Sequence, residues 1–189
     1  MKNPFENDAH LKLKLIPIFI VVTYLSLYFH EVGHWLAGTI TGNEMYIKFN
    51  FAGSKSGEYV GNSDLYATMG GPIATIFLII VSWILIEKYK IIYLYPVVIV
   101  NFFIRLFPHI FWFNNQDEAK ISAMLEIGKY TMPTLVLVPL FLIVWRNSYV
   151  LRLNYKNNIF CVIVSLLCVF SIVVVDYILW LQRQSSVPM

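Results

Sequence analysis

The chain has 189 residues, 58% of them hydrophobic and only 13% charged, with a formal net charge of +3. A soluble domain carries nearer a quarter charged residues, and a water-facing globule of this size cannot hide so much apolar surface. A cytosolic enzyme, a disordered chain and a secreted disulfide scaffold are excluded, and the small, scattered positive charge does not suit a nucleic-acid reader.

Residues 1–11 form a polar leader in which Glu6 and Asp8 are foreign to a cleavable signal peptide. No Asp, Glu, Lys or Arg occurs in 15–29, 65–86, 91–104, 130–145 or 157–175. About 20 mostly apolar residues suffice for a helix to cross a bilayer. The first span is predicted from Lys12 to Ile40, with Gly42-Asn43 as its stop. Over 45–51 the period changes to two: Met45, Ile47, Phe49 and Phe51 alternate with Tyr46, Lys48 and Asn50, a strand with one apolar face. The turn is placed at 53–57 and a return strand at 58–60. Asp64 is placed to cap the second span, which runs to Glu87. The third starts at Ile91 and falters at Pro108. Asn114-Asn115-Gln116-Asp117 interrupts the apolar pattern, and 117–129 read as a charged helix. The fourth span, 130–145, is short and bent by Pro133 and Pro139. The fifth covers 158–181. Cys161 and Cys168 sit two turns apart on one helix face, beyond the reach of a disulfide. The predicted fold class is an all-α polytopic membrane protein with about five transmembrane helices and a small β-hairpin after the first. It forms one domain, 1–189, with a core of about 12–130 and additional spans over 130–182.

His30-Glu31-Val32-Gly33-His34 carries the chemistry. Two histidines at i and i+4 share a helix face, so both imidazoles reach one metal ion. The glutamate between them is placed to take a proton from a water on that ion. At this composition the pattern arises by accident with a probability of roughly 0.003. Ionisable groups inside an apolar span are costly and functional by default. A catalytic zinc requires a third protein ligand and an open position. His10, His109, Asp64, Asp117, Glu118 and Asp176 are the candidates. A broken helix is tolerated at membrane depth only where it lines a cavity or packs on protein. That favours Asp117, with Glu118 in reserve.

In these residues the chain resembles the site-2 proteases, the intramembrane zinc metalloprotease family. H-E-x-x-H in a core span is matched by His30, Glu31 and His34. A small-Gly-Pro turn early in the next span is matched by Gly70-Gly71-Pro72. An Asp in a broken later span, usually written L-D-G, is matched by Asp117, although Gln116 precedes it and Glu118-Ala119 follow. The resemblance covers about residues 20–125. It implies His30, His34 and Asp117 as ligands of one Zn2+ per chain, with Glu31 as general base.

The function expected on these grounds is intramembrane proteolysis: cleavage of transmembrane segments of membrane protein substrates, with water on the zinc, activated by Glu31, as nucleophile. A proteolytically inactive membrane chaperone or adaptor of the same fold is the alternative, and a membrane zinc peptidase with a glutamate as third ligand is another. The partners are a transmembrane protein substrate and the lipid bilayer, with no nucleic acid. The location is multi-pass integral membrane, in a bacterial plasma membrane. Asn101 and Gly71 are further substrate-binding candidates. So is Phe49, as part of a 45–51 strand whose free edge could clamp an unwound substrate. The orientation stays open. Basic residues are more numerous on the N-terminal side, which favours a cytoplasmic N-terminus, whereas the resemblance points the other way.

Overall fold

A computed structural model describes residues 9–111 and 116–185. The elements run α1 (Ala9–Ile40), β1 (Met45–Lys48), β2 (Phe51–Ser54), α2 (Ser63–Tyr89), a 3-10 turn (Ile92–Leu94), α3 (Tyr95–Phe111), α4 (Asp117–Met124), α5 (Thr131–Val150) and α6 (Tyr155–Ser185). Among the described residues, five helices are long and apolar enough to cross a membrane, and α4 is not one of them. The chain therefore rises through α1, descends through α2, and rises again through α3. The short α4 lies at the end where the hairpin is, before α5 descends and α6 returns.

The surface is inverted relative to a soluble protein. Leu13, Leu25, Phe77, Leu135, Trp145 and Leu167 all stand more than half exposed. In water such a belt would drive association; in hydrocarbon it is the natural exterior of a multi-pass membrane protein. The interior centres on α3, the most enclosed span, which packs on α1, α2, α5 and α6. Its Val98, Ile99 and Val100 join Phe19 of α1, Ile79 of α2, Leu140 of α5 and Cys161 of α6 in one core. Both cysteines are free and buried.

Helices in lipid gain little from the hydrophobic effect on meeting one another, so close packing of small residues matters more. α1 and α2 use it at Gly33 and Gly70, where a Cβ on either would strike the backbone of the other. This close crossing holds the His30–His34 face against the start of α2.

The hairpin is tighter than the alternation of 45–51 suggests. β1 pairs with β2 antiparallel, Lys48 opposite Phe51 and Ile47 opposite Ala52, so the turn is Phe49-Asn50 and the return strand is 51–54, not 58–60. A two-residue turn reverses the phase. Phe51 falls on the face of Lys48, and Ala52 on the face of Ile47. Asn43 ties the assembly to the helices. It is buried, its Oδ1 accepts from the Val60 backbone N–H at 2.9 Å, and its Nδ2 donates to Ser63 Oγ at 2.9 Å. Asp64 is not the cap of α2. Asn62 occupies that position without a side-chain cap bond, and Asp64 sits in the first turn, where its charge suits the helix dipole. The charged helix predicted over 117–129 ends at Met124, and α5 continues to Val150 despite Pro139. Asn114 and Asn115 lie outside the described residues.

Candidate metal centre

His30 and His34 project from the hairpin-side part of α1. His34 lies six residues before the end of that helix, about 9 Å along its axis. Both face α2, and α4 brings Asp117 to them. His30 Nε2 lies 2.9 Å from Asp117 Oδ2, His34 Nε2 lies 3.3 Å from the same oxygen, and the two Nε2 atoms are 3.0 Å apart. These three are the group among the described residues that could hold a metal ion.

The hydrogen bonds behind the rings decide what faces forward. His34 Nδ1 lies 2.7 Å from the Ala67 carbonyl, which can only accept, and 3.4 Å from the Gly71 backbone nitrogen, which can only donate; the much shorter contact puts the proton on Nδ1. Thr75 spends its hydroxyl proton on the Gly71 carbonyl at 3.0 Å, so its oxygen accepts from His30 Nδ1, also at 3.0 Å. Both neutral imidazoles then present a bare Nε2. Two lone pairs and a carboxylate oxygen converge, an arrangement that repels itself unless a cation lies among them. One proton could serve one of the three contacts; a metal ion serves all three. A tetrahedral ion with donors at ~2.05 Å holds them about 3.3 Å apart, and the observed edges of 2.9–3.3 Å fit that size. Backbone and hydroxyl partners on the far nitrogens are the usual supports of metal-bound histidine.

Gly71 makes room for the rings. A Cβ there would sit 2.7 Å from His30 Nε2 and nearer still to His34 Nε2. Its place is therefore against the edges of the imidazoles that carry Nε2. Gly71→Ala should lower metal affinity at least tenfold, on the scale of lost supporting groups, with helix content retained. Metal analysis of the purified variant checks this, and a full complement of metal would remove Gly71 from the site.

Glu31 stands outside the converging trio and lines the cavities on both sides of it. The inner cavity, 270 Å³, is bounded by Ser26, Thr75, Asn101, Ile104 and Arg105 together with His30, Glu31 and Asp117. The outer one, 540 Å³, is bounded by Glu31, His34, Phe51, Ala52, Tyr59 and Lys120 among others. Burial raises the Tyr59 phenol above its ordinary value, so it stays protonated across the working range of pH. The Glu31 carboxylate faces the Ala52 backbone N–H across the outer cavity.

The hairpin register explains that contact. Lys55 N–H donates to the Glu44 carbonyl at 2.8 Å, which makes 44/55 a bonded pair. By alternation 46/53 and 48/51 are bonded as well, while 45/54 and 47/52 are not. The N–H and C=O of Ala52 therefore point out of the hairpin, along the β2 edge that borders the site.

Among the other candidates, Glu118 faces away from the histidines to an ion pair with Arg105. Asp64 Oδ1 accepts from Thr68 Oγ1 at 3.4 Å, at the rim of the outer cavity. His109 lies in the last turn of α3, its ring 6.4 Å from that of Tyr130. The side chains of His10 and Asp176 lie outside the described residues. Asn101 borders the inner cavity, with its Nδ2 committed to Ser26 Oγ at 2.9 Å and the Val97 carbonyl at 2.7 Å. Phe49 packs on Tyr24, ring centroids 5.9 Å apart. The hairpin residues that reach the outer cavity are Asn50, Phe51 and Ala52. The weak alternation of 51–54 in the sequence gives Ala52 no signal of its own. Comparison with family models, curated proteins and solved structures returns no match.

Proposed function

We propose that this chain is a zinc-dependent intramembrane protease that cleaves transmembrane segments of membrane proteins. The observation that carries this reading is the convergence of two bare imidazole nitrogens and the Asp117 carboxylate, with Glu31 beside them, inside a five-span bundle. The donor set of two nitrogens and one oxygen suits Zn2+ and leaves one position open. When bound, the ion supplies Lewis acidity, which acidifies water and polarises a carbonyl. Around it the chain's own groups divide the work. His30, His34 and Asp117 hold the ion. Glu31 takes the proton of the attacking water and returns it to the leaving amine. The resemblance to site-2 proteases in His30-Glu31-x-x-His34, Gly70-Gly71-Pro72 and Asp117 supports the same assignment.

A substrate helix hides its carbonyls in its own hydrogen bonds and must unwind before attack. The β2 edge offers a template. An extended segment pairing with the outward N–H and C=O of Ala52 would lie across Glu31 and present its carbonyl to the centre. Proline at Ala52 deletes that N–H, whereas proline at Lys48 would break a pair inside the hairpin. Ala52→Pro is expected to reduce cleavage of a transmembrane peptide at least tenfold with metal content unchanged. Cleavage at the wild-type rate would show that the hairpin is only a connector.

The reading as a whole is tested by metal analysis of the purified chain and His34→Ala, followed by cleavage of a model transmembrane peptide. About one zinc per chain, lost in His34→Ala together with cleavage, is expected. A wild-type protein that holds zinc and never cleaves would favour the chaperone alternative.

A further inference from the structure

Among the described residues, Arg105 is the arginine buried in the interior of the bundle beside the site. Its side chain is 5% exposed and its partner Glu118 is 3% exposed. A charge at membrane depth is costly, and a buried ion pair adds little stability over an apolar pair of similar size. The reason for its presence is therefore better sought in geometry, and the contacts supply one. Arg105 Nη1 donates to Glu118 Oε1. Gln116 Nε2 donates to the backbone carbonyl of the same Arg105 at 2.6 Å. The two residues that grip Arg105 are the immediate neighbours of Asp117, one on each side.

We propose that Arg105 is a positioning residue for the third metal ligand: by holding Gln116 and Glu118 against α3, it fixes the Asp117 carboxylate toward His30 and His34. This rests on the metal-centre reading above. Successive side chains on a helix diverge by about 100°. With Glu118 drawn to α3, Asp117 is turned toward α1. Its Oδ2 meets both imidazoles, and its Oδ1 is left to Lys120, 3.8 Å away.

The frame is closed at its other end. One turn before Arg105, Asn101 donates to Ser26 Oγ at 2.9 Å. Ser26 lies one turn before His30 on α1. Two rungs thus join α1 to α3, one turn apart. The lower is the direct bond Ser26–Asn101. The upper runs from His30 through Asp117 and Glu118 to Arg105. The direct rung fixes the spacing of the two helices, and that spacing sets where the upper rung delivers the carboxylate. A point charge on a flexible stem could neutralise Glu118, but the planar guanidinium also fixes its direction.

The test is Co2+ binding by the full chain in detergent, read as affinity and as the d–d absorption spectrum, which reports the geometry of the ligands. Wild type should bind one Co2+ and His34→Ala should not. Arg105→Gln should bind 10- to 100-fold more weakly, the range for groups that orient ligands, and with an altered spectrum, while its helical circular dichroism matches wild type. Arg105→Lys should recover part of the affinity. Wild-type affinity and spectrum in Arg105→Gln would overturn the proposal. If Arg105→Gln does not fold, Glu118→Gln, which keeps the shape and removes the charge, decides. An affinity at least threefold weaker supports positioning, and wild-type affinity overturns it. Equal binding by wild type and His34→Ala overturns the metal reading itself, and the positioning role falls with it.

Discussion

Replacing Glu31 by glutamine is expected to lower the rate of peptide-bond cleavage about 10³-fold, within the 10²–10⁴ that a positioned acid–base group contributes, and to leave metal content unchanged. The two halves of this expectation come from different observations. Metal is retained because the atoms that converge are His30 Nε2, His34 Nε2 and Asp117 Oδ2, and Glu31 is not among them. Glutamine also has the shape of glutamate and keeps a carbonyl oxygen facing Ala52, so the hairpin stays where it is. Only the ability to take a proton disappears. Single-turnover cleavage of a transmembrane peptide, with zinc measured on the same sample, reads both quantities. Cleavage that persists in a zinc-loaded Glu31→Gln sample would remove Glu31 as the base. Loss of zinc in that variant would instead make Glu31 a ligand and reopen the role of Asp117.

The first part of this site could be read from sequence because helical geometry alone generates it. His30 and His34 are four apart, and no tertiary contact is needed to put them on one face. Asp117 was legible at one remove, from a break in an apolar pattern beside a carboxylate. The hairpin shows where local pattern fails. The alternation Met45, Ile47, Phe49, Phe51 runs straight through the turn, and a reader of period alone prolongs β1 into β2. The edge that borders the site is consequently that of β2, around Ala52, and Phe49 lies apart on Tyr24. Gly71 stood out as part of a small-residue turn, but its work, admitting two imidazoles, depends on how closely α2 crosses α1. The partnership of Arg105 with the residues around Asp117 joins two helices, and no spacing rule reports which way Glu118 turns.

Asp117→Asn is expected to lower zinc affinity more than 100-fold, beyond the 10- to 100-fold typical of groups that only support a ligand. The carboxylate contributes both an oxygen and the only negative charge among the three donors, and asparagine keeps the shape while surrendering the charge. The acid next to it in sequence does not take its place. Glu118 is adjacent, but its carboxylate is buried against Arg105, and turning it to the histidines would strand a guanidinium in the bundle at a cost of about 3–5 kcal/mol. Lys120 meets Asp117 at the outer oxygen, 3.8 Å away and half exposed. An exposed pair of this kind is worth about 0–1 kcal/mol, so Lys120→Ala should stay within about fivefold of the wild-type affinity. Competition against a chromophoric chelator ranks the three proteins. Wild type and Lys120→Ala are expected together at the tight end, with Asp117→Asn far below. Equal occupancy in Asp117→Asn and wild type would mean that the third donor comes from elsewhere. The short distances from Asp117 to the imidazoles would then describe a simple hydrogen-bonded cluster rather than a metal centre.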